Sequence, residues 1–204
     1  MSNKVYKTYL FENAPDWEMT DRAGLEFSNW DSEVHYNTFF KMCFVKDKGI
    51  YLQMNTDETQ LRKVNTKRDE NIWEDSCMEF FLCPFSHREE YLNFEMNPNG
   101  AYLCQFGKGR ENRVFLKSIT DEEASVKTEI TDDGWSLELF VPEKLISEAF
   151  GETFKAKECT LKGNFYKCGD LTYKPHYDSF NKMSTLPPGF HNPECFAQII
   201  ITER

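Results

Sequence analysis

Between Val126 and Val141 the chain alternates apolar and polar residues with a period of two, and that rhythm commits it to a β hairpin. Val126, Thr128 and Ile130 alternate with polar neighbours, Asp132-Asp133-Gly134 turns the chain, and Trp135, Leu137, Leu139 and Val141 resume the alternation. Successive side chains of a strand point to opposite faces, so this pattern gives each strand one buried and one wetted face. Pro142 then opens a short amphipathic stretch, 143 to 150, whose Leu145, Ile146 and Ala149 share a helical face before Gly151 stops it.

Other segments repeat the strand signal. Apolar runs at 38–44 and 50–54 flank Asp47-Lys48-Gly49 and predict a second hairpin. Three more strands are expected at 78–83, 91–96 and 101–106, with Asn97-Pro98-Asn99-Gly100 closing a tight turn. A last pair, 161–168 and 196–202, is joined by a long loop from Asp170 to Glu194, of a length usually kept for function. No βαβ alternation and no internal repeat appears. The expectation is an all-β fold: an antiparallel two-sheet β-sandwich, jelly-roll-like, with one or two short helices, residues 1–204 forming a single domain.

Composition restricts function. The 204 residues carry 34 acidic against 24 basic side chains, a formal charge of −10, which disfavours nucleic-acid and anionic-membrane partners. No apolar run approaches the ~20 residues that span a bilayer, and Met1 to Tyr9 lacks a signal-peptide core, so the chain as written is expected in the cytoplasm, or outside the cell if a leader has been removed. Its seven cysteines form an odd set without Cys-x-x-Cys spacing and read as reduced, mostly buried thiols.

Catalytic and metal chemistry find little support. His35, His87, His176 and His191 have no zinc-site spacing. Asp121-Glu122-Glu123 and Asp132-Asp133 read as solvated turns rather than calcium ligands. Cys168 and His176 offer a nucleophile and a base without any oxyanion element, and Glu79 with Glu95 is one of many carboxylate pairs an acidic chain contains. What remains is aromatic and polar residues interleaved around Trp73-Glu74-Asp75 and from Tyr173 to Phe190. Sugars present apolar C–H faces bordered by hydroxyls, so a ring beside hydrogen-bonding side chains is what a glycan site needs. Trp17, Trp30 and Trp135 are expected in the core, whereas Trp73 stands open between core and surface.

Two segments carry a resemblance. The run 72–81, Ile-Trp-Glu-Asp-Ser-Cys-Met-Glu-Phe-Phe, followed by 91–100, Tyr-Leu-Asn-Phe-Glu-Met-Asn-Pro-Asn-Gly, resembles the family 9 carbohydrate-binding modules and their stand-alone relatives. So does the run 163–170 with His176, Ser179-Phe180-Asn181 and the segment 190–196. The resemblance implies a β-sandwich that grips the end of a glycan between two aromatic rings, without catalysis. By position, the first ring is Trp73 and the acidic reader Glu79; the second ring falls at Phe190, with Phe180 the neighbouring candidate. Glu95 stands where the xylanase-linked modules place an arginine, and phenylalanines replace the late-loop tryptophans. Asn164 and Lys167 complete the set of candidate polar readers. An oligosaccharide or other glycan is the expected partner, related through the resemblance to xylan or cello-oligosaccharides, and no cofactor is expected, with structural calcium left open by the resemblance. The rival readings are a glycoside hydrolase using pocket carboxylates, a haem-binding sandwich and a protein-interaction domain.

Overall fold

The computed structural model describes residues 4–184 and 186–203; Met1 to Asn3, within the N-terminal stretch read above, and Thr185, within the late loop, lie outside the described residues. The strands are β1 (Val5–Phe11), β2 (Ala23–Gly24), β3 (Phe27–Ser28), β4 (Phe39–Val45), β5 (Gly49–Thr56), β6 (Cys77–Cys83) and β7 (Tyr91–Met96). They continue as β8 (Tyr102–Gly107), β9 (Val114–Phe115), β10 (Ser125–Thr131), β11 (Gly134–Pro142), β12 (Cys159–Cys168), β13 (Tyr177–Ser179) and β14 (Ala197–Glu203). One α-helix, α1 (Glu143–Phe150), follows β11. The fold is therefore mostly β. Its hydrogen-bonded ladder runs β10-β11-β5-β4-β1-β14-β12-β6-β7-β8-β9.

The anticipated hairpins form. In the ladder, β10 pairs antiparallel with β11, β4 with β5, β6 with β7, and β7 with β8. On β11 the alternation is strict, with Trp135, Leu137, Leu139 and Val141 all buried. The two glycines flanking these hairpins answer to close packing as well as to turning. A Cβ on Gly134 would sit 2.0 Å from the carbonyl oxygen of Thr56, and one on Gly49 would sit 2.1 Å from that of Val141, so β5 and β11 can meet at both ends only with hydrogen there. Helix α1 ends as the sequence indicates, with Gly151 in the left-handed region (φ 62°).

The expectation of a purely antiparallel sheet is corrected. Strand β1 lies between β14 and β4 and runs parallel to both. The sequence reading assigned no strand before residue 38, because β1 finds partners at the far end of the chain rather than across a local turn, and no nearby turn residue announces that pairing.

The main core lies where the sheet curls over on itself. Phe40 of β4 stacks on Phe165 of β12 with centroids 3.6 Å apart, and Phe80 of β6 stacks on the same ring at 4.9 Å. Each fully buried Phe of this kind contributes about 1.5–3 kcal/mol. A second apolar cluster covers the opposite face of β6 and β12, including Cys77, Phe81, Tyr166 and Cys168. Strand β6 is consequently buried on both sides, which is why it reads as an unbroken apolar run except for one residue, Glu79. That exception marks the site.

Candidate functional site

Alternation on β6 sends Cys77, Glu79 and Phe81 to the face away from the main core. The register then sets Glu79 opposite Glu95 of β7 on one side and opposite Tyr166 of β12 on the other. Glu79, Phe81 and Glu95, with Cys168 of β12, floor a cavity of about 600 Å³. Oε1 of Glu79 accepts a hydrogen bond from the Cys168 thiol at 2.9 Å, and Oε1 of Glu95 accepts from Nδ2 of Asn93 at 2.7 Å. Oε2 of Glu95 has no hydrogen-bond partner among the described residues although the side chain is 5% exposed. Burial pushes the Glu95 carboxyl up to about 7. It raises Glu79 well above the usual carboxylate range too, and the neighbouring charge of Glu95 adds to that rise. Burial of two adjacent acids thus favours their protonated forms.

Aromatic rings wall the cavity. Trp73 sits half-buried on a single 3-10 turn, Ile72–Glu74. Its carbonyl accepts from the amide of Asp170 at 3.1 Å, and that of Glu74 accepts from Leu171 at 3.2 Å, which ties the turn to the late loop. Below it, Asp75 accepts from the amides of Val64 and Asn65, from the Asn97 side chain and from the Arg62 guanidinium. Asp75 is thus a structural hub, buried away from any ligand. Phe190 lies flat on Tyr166, with centroids 4.1 Å apart and planes 15° apart, and leans on Trp30 at 5.4 Å. Trp30 also meets Tyr177 edge-on at 5.7 Å.

Trp30 has a left-handed backbone (φ 51°), a conformation that costs on the order of 1–3 kcal/mol for a bulky residue and persists only when its surroundings enforce it. They do so here. The Asn29 side chain donates to the carbonyl of Tyr177 and the hydroxyl of Ser179 and accepts from the amide of Met183, while Ser32 donates to the carbonyl of Asn29. Asp31, Gln105, Arg110, Asp170 and His191 add to the polar lining. Burial raises the Asp170 carboxyl, and burial with the nearby cations Arg113 and Arg110 lowers His191 to about 3, so its ring is neutral.

Of the residues singled out from the sequence, Trp73, Glu79, Glu95 and Phe190 converge on this one cavity. The other three lie elsewhere. Phe180 is packed in the main core, edge-on to Phe40 at 5.2 Å. Asn164 donates to the carbonyls of Asn181 and Cys195 and anchors the late loop. Lys167, on the opposite face of β12 from Cys168, is fully buried; its ammonium pairs with Glu58 at 2.7 Å and donates to Nε2 of His176 at 2.6 Å. The Cys168 thiol donates to Glu79 while the His176 ring bonds Lys167 and the Lys174 carbonyl, so the two side chains form no nucleophile–base pair. Trp30, expected in the core, lines the cavity, as do Asp31, Arg110 and Asp170, which the sequence reading did not select. The local signal for Trp30 was its place among Asn29, Asp31 and Ser32, residues that favour turns.

Among the described residues, one group of three potential metal donors converges: Cys77, Glu79 and Cys168. Burial holds both thiols protonated, Cys77 up to about 12 and Cys168 well above its ordinary value. Two thiols and one carboxylate do not match the all-oxygen shell that calcium takes. The acidic run at 121–123 instead pairs with cations: Glu122 with Lys144 at 2.7 Å and Glu123 with Arg68 at 2.6 Å.

A solved structure of a candidate carbohydrate-binding protein from Bacteroides uniformis is similar over 98% of this chain and 100% of its own, with 25% identity and a TM-score of 0.83. A family 9 carbohydrate-binding module from Caldicellulosiruptor kristjanssonii in complex with glucose is similar over 97% of this chain and 96% of its own, at 14% identity and a TM-score of 0.67. The same organism's module in complex with cellotriose is similar over 97% and 94%, at 14% identity and a TM-score of 0.66. No curated protein matches. The family model described as Carbohydrate-binding family 9 matches residues 14–201, nearly the whole chain. With a family match of that extent over a fold of this shape, the chain belongs to carbohydrate-binding family 9.

Proposed function

We propose that the protein binds carbohydrate without transforming it, holding the terminal residue of a mono- or oligosaccharide in the cavity floored by Glu79 and Glu95. The observation that carries this reading is the combination of Trp30, Trp73 and Phe190 with buried carboxylates around one cavity of about 600 Å³, a volume suited to a sugar. Ring faces suit the C–H side of a pyranose, and carboxylate oxygens suit its hydroxyls. The glucose and cellotriose held by the Caldicellulosiruptor modules support a saccharide as the ligand class.

The same floor argues against hydrolysis. Glycosidases set a carboxylic acid and a carboxylate on either side of the scissile bond, whereas burial raises both Glu79 and Glu95, neighbours on one surface, toward the neutral acid. We read the ladder as a two-layer sandwich of a single module that works without a cofactor. The formal charge of −10 favours a sugar over nucleic acid, and no helix among the described residues is long and apolar enough to cross a membrane.

A glycan-array screen of the purified chain tests the reading. Saturable binding to defined sugars, lost on Trp73→Ala, is the expected result. Binding to none of the mono- and oligosaccharides would overturn it.

A further inference from the structure

We propose that the preferred ligand is an amino sugar, a 2-amino-2-deoxyhexose or an oligomer ending in one, whose ammonium group sits against the Glu79–Glu95 pair. The inference rests on the carbohydrate reading and narrows it. Its first support is charge. The cavity is lined by four acids, Asp31, Glu79, Glu95 and Asp170, against one cationic side chain, Arg110. The second support is the unpartnered Oε2 of Glu95, on a side chain 5% exposed, an acceptor that lacks a donor from the protein. Leaving such an atom bare costs more than an ordinary hydrogen bond contributes, so the cavity favours a ligand that brings the donor. The third is the walls, because the faces of Trp30, Trp73 and Phe190 carry the negative side of the aromatic quadrupole and attract a cation in a partly dry site.

No other described group around the pair donates to Oε2 of Glu95. The thiols of Cys77 and Cys168 are protonated, and His191 is neutral. Against the larger effect of burial, the charge of Arg113 lowers the Glu95 carboxyl and that of Lys167 lowers Glu79. The Arg113 guanidinium, however, donates its hydrogen bonds to Asn93 and to the carbonyls of Tyr91, Gln105 and Gly109, and Lys167 pairs with Glu58. A neutral hydroxyl can donate to one carboxylate but cannot balance two. An ammonium does both: it donates up to three hydrogen bonds, and its charge takes the place of a proton that burial favours on the pair. Its binding therefore releases a proton from the protein. N-acetylation abolishes the charge and should abolish the preference.

The test is calorimetric titration of the full chain with glucosamine, glucose and N-acetylglucosamine at about pH 7, below the ~7.7–8.0 of an α-amino-like amine. Each titration is repeated in two buffers of different ionisation enthalpy. Glucosamine is expected to bind at least about tenfold more tightly than either neutral sugar, with proton release that the neutral sugars do not show. Glu95→Gln should weaken glucosamine at least about tenfold more than it weakens glucose, so that the preference disappears whatever the loss common to both sugars. Glucose binding as tightly as glucosamine, or a preference that survives in Glu95→Gln, overturns the amino-sugar assignment and leaves carbohydrate binding standing. Failure of all three sugars, together with a blank glycan array, overturns both.

Discussion

Replacing Lys167 separates a structural lysine from a ligand-reading one. Lys167 and Glu58 are both fully buried, and their ion pair is fastened by Ser76, which donates to Glu58 at 2.8 Å, and by His176, which accepts from the ammonium. Lys167→Met keeps the bulk and removes the charge, stranding the Glu58 carboxylate. Breaking a buried pair in this way costs about 3–5 kcal/mol. For a chain of 204 residues, with roughly 2–4 °C lost per kcal/mol, the melting temperature should fall by about 6–20 °C. The double variant Lys167→Met with Glu58→Gln removes both charges and should recover much of that loss, so scanning calorimetry on the four proteins of the cycle gives the coupling directly. Because Lys167 points away from the cavity, sugar affinity measured below the transition should stay within about twofold. A melting temperature within about 2 °C of the parent, with sugar binding lost, would refute this reasoning and make Lys167 a ligand contact.

Three further outcomes follow from the same geometry. Trp73→Ala should weaken sugar binding at least about tenfold while moving the melting temperature by no more than a few degrees, since the ring is half-buried on a turn; Phe190→Ala should lower both, because it also removes the ring stacked on Tyr166. Glu95, raised from 4.5 to about 7 in the folded protein, binds its proton more tightly folded than unfolded. Stability therefore drops as pH rises from about 4.5 to 7 by about 3 kcal/mol on its account and is flat above; urea titrations of Glu95→Gln should show that much less decline over the same window. Alkylation of the native protein at about pH 8 should label Cys159, the half-buried thiol, well before the six buried ones, with all seven reacting in denaturant by mass spectrometry.

Local information was legible in the sequence and register was not. The β10–β11 hairpin and α1 announce themselves through period, turn residues and Gly151, all within a few positions. Strand β1 pairs with β14 almost the whole chain away, and nothing near residue 5 records it. The site shows the same division. Glu79 and Glu95 share a face of adjacent strands, and an acid inside an apolar run is visible in one dimension. Lys167 was selected one residue from Cys168, and that single step reverses the face: the ladder sets Cys168 opposite Cys77 on the cavity side and Lys167 opposite Met78 on the core side. Phe180 and Phe190 look alike in the late loop. They are told apart only by where the loop is tied, Phe180 through its amide to the Phe165 carbonyl and into the core, Phe190 through its carbonyl to the Tyr166 hydroxyl at the cavity wall.

The most direct measurement is a crystal structure of the protein soaked in glucosamine or glucose. The account predicts a pyranose in the cavity, a ring face against Trp73 or Phe190, and a hydroxyl or ammonium within about 3 Å of Oε2 of Glu95. Sugar density at another surface, with the Glu79–Glu95 cavity filled by water alone at saturating ligand, would contradict it.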